Sequence, residues 1–266
     1  MTSESTSATV RIEPHPAEPR LGILHIDRPP VNALDQRMWD LLETHARSLH
    51  GDTPFSAIVI TGDGKHFAAG ADVKEMVDLT AETFDRRNRV LQHAFHLLAT
   101  APQIIVAALR GYALGGGCEL ALAADFRIAG EGATLGLPEI TLGIMPGSGG
   151  TQRLSRTVGV ARAKDLILSG RFVAATEALE IGLVDRVVPD AEVLDVAIER
   201  ALEYARGPIA LRYAKQAIDG GIDLPIEQGL ALEADLITRC FASQDGRHGL
   251  RSFLADGPRK ARFTGR

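Results

Sequence analysis

Leu135 to Leu154 reads LGLPEITLGIMPGSGGTQRL, and the chain changes character across it. Upstream, from Leu21 to Leu135, strand-like and helix-like segments alternate. Downstream of Thr151 the pattern is almost wholly helical. Alternation of strand and helix implies right-handed crossovers and a largely parallel sheet, so the stretch is the seam between an α/β core and a helical region. It carries one carboxylate, Glu139, between Leu135-Gly136-Leu137 and the nearly charge-free run from Ile140 to Gln152. An acid held among Leu, Ile, Pro and Gly is poorly solvated, and desolvation raises a carboxyl pKa toward the range of a general acid or base. An exposed loop acid with apolar neighbours would leave the same trace.

Working outward toward the N-terminus, Val10–Glu13 and Leu21–Ile26 are expected to form a hairpin. Pro14 to Pro19 is read as its proline-rich turn. Arg28 to Leu34 is an extended connection, because each proline disfavours a helical residue before it. Asp35 is a good N-cap for a helix to His50, with Met38, Leu41, Leu42 and Leu49 on one face. Ala57–Thr61 and Gln103–Leu109 read as buried strands, with a helix over Ala81–Thr100 between them. Gly111–Gly117 reads as a flexible loop, Cys118–Ala123 as the start of a helix and Phe126–Ala129 as a further strand. Toward the C-terminus, helices are expected near 152–158, 161–168, 176–181, 191–205, 208–220, 226–241 and 245–255. The basic tail carries Arg259, Lys260, Arg262 and Arg266, with Arg251 nearby.

Two small-residue loops each follow a buried strand and open a helix: Ala69-Gly70-Ala71 and Gly115-Gly116-Gly117. Backbone N–H groups at a helix start have no intrahelical partner and can hold an oxyanion. Tight turns packed for steric reasons would look alike. Neither loop has Walker A or G-x-G-x-x-G spacing. Pro146-Gly147-Ser148-Gly149-Gly150 approaches a serine nucleophile elbow, but Pro146 stands where its first glycine belongs. Glu119, two residues past Gly117, gains from the helix dipole as a matter of structure. Together with Glu139 it also suits proton transfer around a polarised carbonyl. His93 and His96, spaced i, i+3, lack a third metal ligand nearby in sequence and read as solvated or packed. Arg86-Arg87-Asn88-Arg89 reads as an exposed face.

The 266 residues are 45% hydrophobic and 24% charged, enough to bury a core and stay soluble. The formal charge of −5 disfavours a nucleic-acid surface. Cys118 and Cys240, in unrelated contexts, suggest a reducing compartment. The polar N-terminus, read as a tail over 1–9, lacks a secretory pattern, and no apolar run is long enough to span a bilayer. The expectation is a cytoplasmic protein that binds neither membrane nor nucleic acid.

Three long motifs in order carry a resemblance: Phe67 to Met76, Gly111 to Leu120, and Pro138-Glu139-Ile140 through Leu154. With them the chain resembles the enoyl-CoA hydratase/isomerase, or crotonase, superfamily from about Leu21 onward. The resemblance implies an α/β fold: a ββα spiral core over 10–190 and a C-terminal helical trimerisation region over 191–266. It implies an acyl-CoA thioester whose carbonyl is held by the N–H groups of Ala71 and Gly116. Ala69, Asp72, Val73 and Lys74 would border the CoA moiety, and Arg28 and Ala33 would line its path. Glu139 would handle the C2 proton, Glu119 would position and deprotonate the water added at C3, and Gly147 would place its N–H near that water. No metal and no cofactor beyond the CoA of the substrate is implied, and a homotrimer or homohexamer is. Leu137 stands where many short-chain hydratases have Gln, which implies a more apolar acyl pocket. A Δ3,Δ2-enoyl-CoA isomerase and a crotonase-fold binding or RNA-associated protein are the competing readings.

Overall fold

The computed structural model describes residues 9–266. The tail expected over 1–9 lies outside them except for Thr9, which already belongs to the first strand. That strand, β1 (Thr9–His15), pairs antiparallel with β2 (Glu18–Asp27). The proline-rich turn is shorter than expected: Pro14 and His15 pair with Gly22 and Glu18, leaving only two residues at the bend. Helix α1 (Gln36–Ser48) follows, with Asp35 as its N-cap, accepting from the Met38 N–H at 2.9 Å. Then come β3 (Ala57–Gly62), the single-turn α2 (Val73–Met76), α3 (Ala81–Ala99) and β4 (Ile104–Leu109).

The next segments are short. β5 (Tyr112–Leu114) leads into α4 (Gly116–Leu122), then β6 (Phe126–Gly130), β7 (Thr134–Gly136) and a 3-10 turn over Pro138–Leu142. α5 (Gly150–Val158) and α6 (Val160–Ser169) precede β8 (Val173–Ala174), α7 (Ala175–Glu180) and β9 (Arg186–Val188). Four helices close the chain: α8 (Val193–Ala205), α9 (Ala210–Gly221), α10 (Ile226–Ala242) and α11 (Gln244–Asp256).

The larger sheet has the order β1-β2-β3-β4-β6-β9, parallel everywhere except at the β1-β2 hairpin. β3 and β4 are buried along their whole length, as their largely apolar sequences require of strands covered on both faces. The smaller sheet, β5-β7-β8, is built from the continuations of the larger one. β4 bends at Arg110-Gly111 into β5, and β6 bends into β7. After β3 the chain reaches Ala68, which bridges to Ala113 of β5. The turns β4–β5 and β6–β7 thus each lay one strand in each sheet and return through helices, while the turn after β3 contributes only the bridge at Ala68. The segment expected as a flexible loop over Gly111–Gly117 is therefore ordered sheet up to Leu114.

One core lies between the sheets and helices α1, α3 and α4, with Phe67, Phe95, Met38 and Leu42 fully buried. A second core covers the other face of the larger sheet. There Val193, Ala197, Ala201 and Ala205, four residues apart on α8, pack against Leu21, Val59, Val106 and Ile128. The first helix of the region expected over 191–266, α8, thus lies on the sheet, because the small side chains on that face let it settle on the strands. α9 is pinned to the core by Lys215, whose buried ammonium donates to the Gln103 carbonyl at 2.9 Å and meets Asp125 at 2.8 Å.

The C-terminal basic tail is folded back. The Asp245 carboxylate accepts the N–H groups of Thr264, Gly265, Arg266 and Ile209 within 3.1 Å, and Arg266 returns its carbonyl to the Asp245 N–H. These bonds hold Asp245 below the usual carboxylate range against the opposing effect of burial.

Candidate active site

The site lies where the spiral's bends leave backbone N–H groups unpaired. Leu34 pairs with the strand-like segment around Ala71: its N–H bonds the Gly70 carbonyl at 2.7 Å, and its carbonyl takes the Asp72 N–H at 3.1 Å. The Ala71 N–H falls between these two and has no backbone partner among the described residues. Gly116 is the first residue of α4, so its N–H has no intrahelical acceptor. The two groups are neighbours: a Cβ added at Gly116 would sit 3.8 Å from the Ala71 nitrogen. Gly70 (φ 97°) and Gly115 (φ 52°) make the approach possible, since both adopt the left-handed backbone region open to glycine.

Packing fixes α4 as tightly. A Cβ on Gly117 would run into the Ala68 carbonyl. Gly117→Ala is therefore expected to overpack this contact and destabilise the fold by about 1–3 kcal/mol. Thermal unfolding should show a lower Tm, and an unchanged Tm would mean that α4 has room to shift.

Glu139 stands in the 3-10 turn over Pro138–Leu142, reached from β7. Its carboxyl hangs over the same glycines, with Oε1 3.2 Å from where a Cβ on Gly115 would be. Oε2 is buried and has no hydrogen-bond partner. Burial, reinforced by the nearby charge of Glu119, pushes its pKa up to about 7. Glu119, on the first turn of α4, is 3% exposed. Its Oε1 accepts the Ser148 N–H at 2.7 Å and the Gly150 N–H at 2.8 Å. Burial raises its pKa, while these two N–H bonds and the Arg153 charge oppose the rise. The two acids thus differ in environment: Glu119 is held by two donors that favour its ionised form, whereas Glu139 keeps one buried oxygen unpartnered and is pushed toward the protonated form.

Both carboxylates, both unpaired N–H groups, and Ala69, Val73 and Gly147 line one cleft of about 700 Å³, its open mouth included. Trp39, Met76, Phe84, Leu142, Ile144 and Met145 give it apolar walls. Leu142, Ile144 and Met145 are exposed at its rim.

Other residues singled out in the sequence lie elsewhere. Leu137 is buried and does not line the cleft; it packs under Gly150, where a Cβ would meet its Cδ1 at 2.9 Å. The expected link between Leu137 and an apolar acyl pocket is thus not direct: the residue sets the floor beneath Gly150.

Arg28, Ala33, Asp72 and Lys74 are outside the walls of the cleft. Arg28 ties two helix caps together, meeting Asp35 at 2.9 Å and Asp72 at 2.7 Å, and donates to the Ala33 carbonyl at 3.1 Å. Its guanidinium holds the Asp72 carboxyl below the usual range. Ser148 is buried; its N–H serves Glu119 and its hydroxyl is 3.5 Å from Asn88 Oδ1. The Cys118 thiol is buried and pushed up to about 12, mainly by desolvation, so it is no thiolate nucleophile. His93 meets Glu43 at 2.8 Å. No group of three or more His, Cys, Asp or Glu is placed to hold a metal ion among the described residues.

Sequence reading missed Asn88. It sits among three arginines but turns into the cleft, donating from Nδ2 to the Gly147 carbonyl at 3.1 Å. Only the i, i+3 spacing to Leu91, which also lines the cleft, marked its face of α3.

Paired N–H donors facing a cleft that also holds two buried carboxyls, on the bends of a two-sheet spiral, are the features of a crotonase-fold enzyme. The comparisons agree. The family model described as enoyl-CoA hydratase/isomerase matches residues 18–266. The 2,3-dehydroadipyl-CoA hydratase of Escherichia coli is 43% identical over 239 residues, spanning 88% of this chain and 92% of that protein. The crotonyl-CoA hydratase of Syntrophomonas wolfei is 39% identical, spanning 92% and 95%. The crystal structure of an enoyl-CoA hydratase from Bacillus anthracis superposes with a TM-score of 0.91 at 36% identity, covering 97% of this chain and 99% of that one. The chain belongs to the enoyl-CoA hydratase/isomerase family.

Proposed function

We propose that the protein hydrates 2-trans-enoyl-CoA thioesters to 3-hydroxyacyl-CoA. The observation that carries this reading is the convergence of Glu119 and Glu139 on the cleft into which the free N–H groups of Ala71 and Gly116 open. The thioester oxygen accepts from both N–H groups. Polarisation makes C3 electrophilic, and the enolate-like charge that collects on the oxygen is met by donors already in place. Glu119, held by two amides that favour its ionised form against the effect of burial, takes a proton from the water that attacks C3. Glu139, whose raised pKa keeps a proton available near neutrality, delivers it to C2. The chemistry is proton transfer with oxyanion stabilisation and asks for no cofactor apart from the CoA of the substrate. Relatives named as crotonyl-CoA and 2,3-dehydroadipyl-CoA hydratases support the reaction class.

The apolar rim of Leu142, Ile144 and Met145 suits an acyl tail that extends past the reacting carbons. A panel of 2-trans-enoyl-CoA substrates of rising length, assayed for 3-hydroxyacyl-CoA, tests the reading and locates the preferred chain. Turnover of 3-enoyl-CoA to 2-enoyl-CoA without hydration would transfer it to the isomerases. Salt-dependent RNA binding without turnover would point to a binding protein. No helix among the described residues is long and apolar enough to cross a membrane, and a cytoplasmic location remains part of the proposal. So does a homotrimer or homohexamer. Ile218, Ile226, Leu230, Ile237 and Phe241 on α9 and α10, and Ile222 just past the end of α9, are exposed, an apolar surface that association would cover. Light scattering on the eluted protein gives the mass that decides it.

A further inference from the structure

Glu119 is held through two peptide units, Gly147–Ser148 and Gly149–Gly150, whose N–H groups meet at its Oε1. In a trans peptide the carbonyl points away from the N–H of the same plane. Whatever grips the carbonyl therefore also aims the N–H. The Gly149 carbonyl is gripped by the first turn of α5, accepting from the N–H groups of Gln152 at 3.1 Å and Arg153 at 2.8 Å. The Gly147 carbonyl has no backbone donor among the described residues. It accepts instead from Asn88 Nδ2 at 3.1 Å and Gln92 Nε2 at 3.2 Å, two side chains one turn apart on α3.

We propose that Asn88 and Gln92 are positioning residues for Glu119, aiming the Ser148 N–H at its carboxylate by holding the Gly147 carbonyl from the opposite side. The peptide unit thereby couples a helix on one wall of the cleft to an acid on another. Asn88 braces the loop twice, since its Oδ1 also lies 3.5 Å from the Ser148 hydroxyl. The kinetic consequence rests on the hydratase reading above; the structural consequence does not. With the grip released, the Gly147–Ser148 plane can rotate, and Glu119 keeps only the Gly150 donor. Small misplacements of groups that orient reactants cost up to about 100-fold in rate.

The test uses Asn88→Ala, the near-isosteric Asn88→Asp, which keeps the shape but cannot donate from an ionised carboxylate, and Asn88→Ala combined with Gln92→Ala. In the full-length protein the amide proton of Ser148, followed by NMR, is expected to move upfield in all three, whereas that of Gly150, anchored by α5, keeps its position. With crotonyl-CoA, kcat is expected to fall about 10- to 100-fold with little change in KM. In a Glu119→Gln background the same Asn88 substitutions are expected to change kcat less than about twofold, because the group they position is gone. An unmoved Ser148 amide in the double variant overturns the proposal. Equal losses of kcat with and without Glu119 overturn it too, since they mark a general structural role. If the parent protein hydrates no enoyl-CoA, the hydratase reading falls, and the Ser148 and Gly150 shifts still decide whether Asn88 and Gln92 hold Glu119.

Discussion

Glu139→Gln is expected to lower the hydration of crotonyl-CoA by about 10² to 10⁴-fold, the usual contribution of a positioned general acid. The amide keeps the size of the carboxyl and cannot deliver a proton to C2. Its fold should be intact or better. Burial pushes the native Glu139 up to about 7, whereas an unfolded glutamate titrates near ~4.3. Between these values the native state holds a proton that the unfolded state has released, so this group's contribution to stability falls as pH rises through that window. Glutamine has no such loss. Thermal melts should therefore show the Tm of Glu139→Gln gaining on the parent between about pH 4.5 and 7. A variant that is both inactive and progressively better folded separates a catalytic role from a structural one. Near-parental turnover would remove Glu139 from the reaction.

The second large effect is on pH dependence. Hydration as proposed needs Glu119 ionised and Glu139 protonated, so the pair must hold one proton. With Glu139 raised to about 7, that proton is lost as pH rises through about 7 in the free enzyme. There kcat/KM should fall toward a tenfold loss per pH unit. The limb belongs to the pair, because the charge of Glu119 acts on Glu139. The overall reaction neither consumes nor releases a proton, so the ratio of forward to reverse kcat/KM is independent of pH. Dehydration of the 3-hydroxyacyl-CoA should show the same limb, and Glu139→Gln should abolish it in both directions. A flat profile across pH 6 to 9, or a kcat/KM that rises through pH 7, would contradict the assignment.

The parts of the fold visible in the sequence are those long enough to carry a period. β3 and β4 are largely apolar runs, and α1 has a cap at Asp35 and a buried face of Met38, Leu42 and Ala46. The strands β5, β7, β8 and β9 have two or three residues each. Pairing in the spiral, and not local pattern, makes them strands, so Gly111–Gly117 read as a loop. α8 shows a helical period that is silent about its partner: small residues at its contact face fit a sheet as well as a helix.

The site divides in the same way. Its acids and glycines were legible because Glu139 is alone among apolar residues and because two glycine-rich loops open helices. What the sequence hid was the support. Asn88 looks like part of a charged surface, and its importance comes from Gly147, 59 positions away. Leu137 looked like pocket wall because it precedes Pro138-Glu139, yet its side chain turns beneath Gly150. Arg28 and Asp72 were expected beside the CoA path, and they meet each other. Adjacency in sequence marks which loop a residue shares, while the direction of its side chain is set by tertiary packing.

The central claim is that water adds across C2 and C3 between Glu119 and Glu139. Turnover of crotonyl-CoA in H₂¹⁸O, followed by mass spectrometry of the product, tests it most directly. A 3-hydroxybutyryl-CoA carrying one ¹⁸O at C3, its formation suppressed in Glu119→Gln and Glu139→Gln, is the result expected. Unhydrated thioester after prolonged incubation, or a labelled product formed equally well by both variants, would contradict it.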